Sequence, residues 1–216
     1  MSVDPRLVGR MLRFFQLPSE TLHPSQQPDF AGGANLVVLQ SHPKARAALH
    51  RHWSRQILKG LGPAAALSGD VNRRELAVAL LPTASLDALA LRTGALLCGP
   101  RLRRSIVGAE VRALREAFGA EVMAFVREAE ALHPGLPDSR DWSLDEVLRA
   151  ACELGRRTVL ASLKGAGPAI LRRVELKMPR VSEGEAPLSP EAALELELRI
   201  IEKMDPEWLS SFPQTR

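Results

Sequence analysis

The sequence predicts a mainly α-helical protein, an irregular multi-helix domain with at most a short β-hairpin or an isolated strand pair. Three observations lead there. Apolar residues recur at helical spacing along most of the chain, whereas period-two alternation is almost absent. The apolar stretches lie between recognisable helix starts (Ser, Asp or Pro) and recognisable stops (Gly or Pro). The 216 residues, 45% hydrophobic and 25% charged, can bury a core without metal or disulfide staples and lack the signature of disorder. One domain over residues 1–216 is therefore expected.

In chain order, Asp4 and Pro5 open a first helix that runs through Phe15. Residues 16–34, rich in Pro, Ser, Gln and Gly, read as a loop or mobile arm. Ser41 and Pro43 then open a helix to about Lys59. Ala45, Leu49, Trp53 and Ile57 occupy one side of it, and Lys44, Arg51, Arg55 and Lys59 another. Asp70 caps a short helix to Leu81 that Pro82 stops, and Leu86, Leu89, Leu96 and Leu97 mark the next, which Gly99-Pro100 interrupts. From Pro100 to Phe118 a further helix is expected. At about 100° per residue, Arg101, Arg104, Arg112 and Arg115 share a narrow arc, and Leu102, Ile106, Ala109, Ala113 and Ala117 lie opposite. Arg103 and Glu110 interrupt the apolar side, two turns apart, as a partly buried charged pair or the edge of a partner site.

Gly119 ends that helix, and another extends to His133 before a Pro-Gly-Leu-Pro break. Ser143-Leu144-Asp145-Glu146 forms a capping box, with Trp142 stapled onto Val147, and the helix it starts continues toward Lys164 with Gly165 at its end. Val174 to Met178 alternates apolar and polar before Pro179, which predicts the one strand, with Leu36–Leu39 its candidate partner. Residues 180–189 read as a loop. Ser189-Pro190 opens a helix with Leu194, Leu198 and Ile201 inside and Glu191, Glu195 and Glu202 outside, and Asp205-Pro206 starts a last turn carrying Trp208, Leu209 and Phe212.

Charge divides the chain. Residues 1–120 hold 16 Lys and Arg against 8 Asp and Glu, and the remainder 13 against 17. Such polarity suits nucleic acid at the basic end or a place between unlike protein neighbours. Aromatic residues at 4% with no Tyr leave few base-stacking platforms, so nucleic acid is not the expected partner. No apolar run is of membrane-spanning length and no basic region leads into an apolar core at the start, which predicts a cytoplasmic protein without membrane insertion.

The search for reactive groups is negative throughout. Gly94 and Gly99 have a phosphate-loop interval, but Pro100-Arg101 replaces Lys-Ser/Thr. Gly165-Ala166-Gly167-Pro168 lacks the third glycine and the preceding strand of a dinucleotide fingerprint. Ser41 and Lys44 have serine-acylase spacing without the accompanying elements, and Ser41 serves as a cap. His23, His42, His50, His52 and His133 include no pair four apart, so no metal is expected. Cys98 and Cys152 fall near apolar faces with no basic neighbour to activate a thiolate. No catalytic residue and no cofactor is therefore expected. The arginines at 101, 103, 104, 112 and 115 stand out as candidate contacts for carboxylates of a partner. A helix-turn-helix over residues 85–118 is the alternative, although its second helix lacks Asn or Gln for base edges.

The segment Leu91-Arg92-Thr93-Gly94-Ala95-Leu96-Leu97-Cys98-Gly99-Pro100-Arg101-Leu102-Arg103-Arg104-Ser105-Ile106 resembles the central motif of the SctK family. Its pattern, G-x-x-L-x-G-x-x-[I/L]-R-R-x-[V/I], falls on Gly94, Leu97, Gly99, Leu102, Arg103, Arg104 and Ile106. Leu12-Arg13-Phe14 with Leu22-His23, and Arg173 to Pro179, are similar to flanking family elements in the same order. The resemblance implies a non-enzymatic, mainly helical cytoplasmic adaptor of the type III secretion sorting platform. It would join the cytoplasmic domain of the inner-membrane ring protein SctD to the pod protein SctQ, near SctL and the SctN ATPase. The family transfers no catalytic residue.

Overall fold

A computed structural model describes residues 5–27, 41–61, 73–105, 107–136, 142–182 and 184–212. Among them are eleven α-helices and no strand. They are α1 (Pro5–Gln16), α2 (Pro43–Leu61), α3 (Glu75–Ala79), α4 (Thr83–Leu97), α5 (Gly99–Arg103), α6 (Gly108–Phe118), α7 (Ala120–Glu128), α8 (Leu144–Ser162), α9 (Pro168–Lys177), α10 (Pro190–Met204) and α11 (Pro206–Ser210). The mainly helical class holds. Asp4, Leu36–Leu39 and Asp70 lie outside the described residues.

Three helix starts follow the residues that signalled them. Ser143 Oγ accepts from the Glu146 backbone N–H at 3.3 Å while the Ser143 N–H donates to Glu146 Oε2 at 2.7 Å, so α8 begins with a complete capping box. Ser189 and Asp205 accept from the backbone N–H groups of Ala192 and Trp208 at the starts of α10 and α11.

Helices α4 and α8 are the central pair. Their side chains enter two cores, a larger one that includes Leu86, Leu89, Leu96 and Val159 and a smaller one that includes Ala95, Cys98, Val147 and Ala151. The two helices cross at glycines. A Cβ on Gly94 would stand 1.7 Å from the Ala151 carbonyl oxygen, and one on Gly155 would stand 1.8 Å from that of Ala90. Only backbone faces backbone there, so no rotamer change could admit a methyl group. Gly94 is thus a packing residue of the crossing.

Residues 174–177 are helical, with Met178 as the extended C-cap, which corrects the predicted strand. Gly167, at φ 93°, and Pro168 start α9, which continues to Lys177. The alternation misled because the helix also buries two polar residues, Arg173 and Lys177, each 2% exposed. Their cationic ends lie over the rings of Phe15 and Phe14 at 5.5 and 5.2 Å. Lys177 Nζ donates to the carbonyls of Ala79 and Leu81, both at 2.6 Å, and so serves the carboxyl end of α3.

The expected arm at 16–34 differs over its described part. Gln16 closes α1, and Pro18–Thr21 and Pro24–Gln26 form 3₁₀ turns that strap α2 to the end of α9. Ser19 Oγ bonds Ser54 Oγ and the His50 carbonyl, both at 2.8 Å. The His23 N–H donates to the Leu176 carbonyl at 2.9 Å, and Gln26 Nε2 to that of Met178 at 3.1 Å. Polar composition suggested a loop, yet these polar groups are buried and satisfied, while Leu22 packs with Ile57 and Leu176.

Candidate partner-binding face

The singled-out arginines occupy the connection from α4 through α5 to α6, and they do not form one row. The helix expected over Pro100–Phe118 is broken: α5 ends at Arg103, Val107 is extended with ψ 125°, and α6 starts at Gly108. Ser105, Ile106, Val107 and Gly108 are weak helix formers in succession, and their combined propensity outweighs an apolar period that runs unbroken through them. The second helix of the helix-turn-helix reading is likewise two helices.

Arg101 is turned inward, its side chain 13% exposed. Its Nε donates to the Trp142 carbonyl at 2.8 Å, Nη1 to Ser105 Oγ at 2.9 Å and Nη2 to Glu110 Oε1 at 2.6 Å, bracing α5 against α6 and the entry to α8. The Arg101 hydrogen bond holds the Glu110 carboxyl below the usual carboxylate range. Arg103 pairs instead with Glu130 at 3.1 Å. Two ion pairs therefore replace the expected Arg103–Glu110 contact. Arg104, Arg112 and Arg115 are exposed.

These pairings make a double-mutant cycle discriminating. Arg101 and Glu110 are expected to show a coupling of about 1 kcal/mol in urea unfolding, and Arg103 and Glu110 one indistinguishable from zero. The opposite ranking would contradict the exchange of partners.

Other sequence candidates resolve into structure. Cys98 is 1% exposed and its thiol is pushed up to about 12, by burial first and by Cys152 second, far from thiolate formation near neutral pH. His50 Nδ1 lies 3.1 Å from Ser19 Oγ, and burial lowers its pKa. Gly167 opens α9, and Gly165 lies in a 3₁₀ turn after α8. Among the described residues no group of three His, Cys, Asp or Glu side chains could hold a metal ion, and no helix is long and apolar enough to cross a membrane.

The most unusual group is not among the sequence candidates. Glu197 on α10 is 0% exposed, and one oxygen accepts from Thr93 Oγ1 at 2.8 Å while Oε1 has no hydrogen-bond partner. Burial pushes this carboxyl up to about 8, the Thr93 bond opposing the rise. A signal was present: Glu197 lies three residues after Leu194 and four before Ile201, on the inward stripe.

The chain matches, over residues 12–205, the model of a family described as YOP proteins translocation protein K (YscK). That span covers most of the 216 residues. The chain belongs to the YscK family. It is thereby a member of a family of type III secretion proteins, accessory or structural components of the secretion apparatus. No curated protein and no solved structure is found to match. Within this YscK-family chain the central motif does mechanical work: Gly94 permits the α4–α8 crossing, Leu97 and Leu102 are buried, and Gly99 opens α5.

Proposed function

We propose that this protein is a non-enzymatic cytoplasmic adaptor of the type III secretion sorting platform. It links the cytoplasmic domain of the inner-membrane ring protein SctD to the pod protein SctQ, and through them reaches SctL and the SctN ATPase. The match to the YscK family over residues 12–205 carries this reading. Two physical features support it. Arg101 braces α5 against α6 and the entry to α8 from within, which fixes the elements that carry the exposed arginines. The basic and acidic portions of the sequence can orient a molecule between unlike neighbours, since charge complementarity chiefly governs encounter and specificity.

The exposed Arg104, Arg112 and Arg115 are the part of this face offered to a partner, with Arg101 and Arg103 behind them. Mixing the purified chain with the cytoplasmic domain of SctD and with SctQ should give one complex containing all three. Replacing Arg104 and Arg112 by Glu should weaken one of the two pairwise affinities at least tenfold and leave helical content unchanged. Absence of binding to both proteins would overturn the adaptor reading, and unaltered affinities in the double variant would remove the arginines from it.

A further inference from the structure

We infer that a recess between α5, α6 and α7 anchors a protein segment that presents an apolar side chain flanked by carboxylates. The inference rests on the adaptor reading and names the chemistry its partner would carry.

The recess has a volume of about 260 Å³, with Leu102, Leu114, Met123 and Val126 forming its walls and Val111 and Ser105 also lining it. Clefts that enclose small organic ligands or cofactors span about 300–1,000 Å³, so this one suits a side chain or two on a larger body. An apolar recess surrounded by polar side chains is the usual seat of an interface anchor residue. Val107, in the chain between Ser105 and Val111, is 61% exposed and adds apolar surface beside it.

The surrounding charge is basic. Arg103 and Arg127 line the recess, and the Arg103 guanidinium keeps one nitrogen, Nη1, buried without a hydrogen-bond partner. Arg115 is one helical turn beyond Val111 and exposed, as is Arg127, and no ion pair among the described residues engages either. The local carboxylates do not offset Arg115 and Arg127. Glu110 is held by Arg101, and Glu130 by Arg103, so the cations left to the recess rim are Arg115 and Arg127. Glu116 lies about 140° around α6 from Val111, and Glu128 about 160° around α7 from Val126, at about 100° per residue. A lipid surface would meet the charges and leave the recess empty. A protein segment with Asp or Glu beside a Leu, Met or Phe satisfies both.

The test uses the full-length chain and measures its affinity for purified SctD cytoplasmic domain and for purified SctQ. Val111→Phe fills the recess from its half-buried position, and Arg115→Glu with Arg127→Glu reverses its rim at exposed positions that folding tolerates. Arg51→Glu with Arg55→Glu, on the exposed basic side of α2, makes the same charge change elsewhere. For one partner, both recess variants should raise Kd at least tenfold while the α2 variant stays within twofold of the parent. Recess variants that bind both partners within twofold of the parent would overturn the inference and leave the adaptor reading standing. Equal losses in the α2 variant would also overturn it, by reducing the effect to bulk charge. Binding of neither partner by the parent chain is the distinct result that removes the adaptor reading and this inference with it.

Discussion

Gly155→Ala is expected to lower the melting temperature by about 10 °C or to prevent folding altogether. The added Cβ would stand 1.8 Å from the Ala90 carbonyl oxygen and 2.9 Å from the Gly94 nitrogen. Those atoms belong to the backbone of α4, so relief requires α4 and α8 to separate along their crossing. Separation opens gaps in the two cores that both helices enter. Overpacking that side-chain movement can absorb costs about 1–3 kcal/mol. Here a helix must move, so about 4 kcal/mol is expected from a total of about 5–15 kcal/mol. At about 2–4 °C per kcal/mol for a domain of this size, thermal unfolding by circular dichroism reads this directly. Gly9→Ala in α1 is the control: no atom lies within 4 Å of its added Cβ, so it should be neutral or stabilise by up to about 1 kcal/mol. Melting of Gly155→Ala within 2 °C of the parent, taken as roughly the effect of 1 kcal/mol, would mean the helices do not meet this closely.

The second large effect is a dependence on pH. The Glu197 carboxyl, ordinarily near 4.5, is pushed up to about 8 by burial. The folded state therefore keeps a proton there that the unfolded state has released. The stability associated with that proton is complete below pH 4.5 and is lost as pH rises through about 8, with a slope of up to about 1.4 kcal/mol per pH unit. Glu197→Gln imitates the protonated acid. It carries a constant penalty, because a buried amide N–H₂ replaces an oxygen already lacking a partner, but it does not titrate. Between pH 5 and 7 the parent should lose up to about 3 kcal/mol relative to the variant in urea unfolding. Parallel profiles would show that Glu197 titrates normally. Lys177 acts in the opposite sense: burial, with Arg10 contributing, brings its ammonium from 10.5 down to about 7, so its contribution rises with pH through that upper window. Measurements at pH 5–7 keep below the Lys177 window, and the difference between parent and variant cancels the titration of His50, leaving Glu197.

Helix starts were legible because capping is local chemistry. Ser143, Ser189 and Asp205 accept the backbone N–H groups expected of them. The break within 99–118 was less legible, since apolar periodicity continued while helix propensity failed at Ser105 to Gly108. Residues 174–178 predict a strand because five alternating residues fit either period, and only the burial of Arg173 and Lys177 separates the two. At the candidate face, residue type identified the arginines, but not which of them the fold would use internally. Arg101 finds Trp142, forty-one positions away, through tertiary contact alone. Glu197 is within reach of periodicity, but a carboxylate on an inward stripe runs against the usual distribution of charge.

The strap formed by residues 18–26 bears on biosynthesis. Its hydrogen-bond acceptors on Leu176 and Met178 are synthesised about 150 positions after it. At about 5–20 residues per second, this nascent segment waits for tens of seconds or less with Phe14, Phe15 and Leu22 lacking their final seats. Residues 14–26 settle only after α9 has been made, so Phe14, Phe15 and Leu22 stay uncovered on the nascent chain until then.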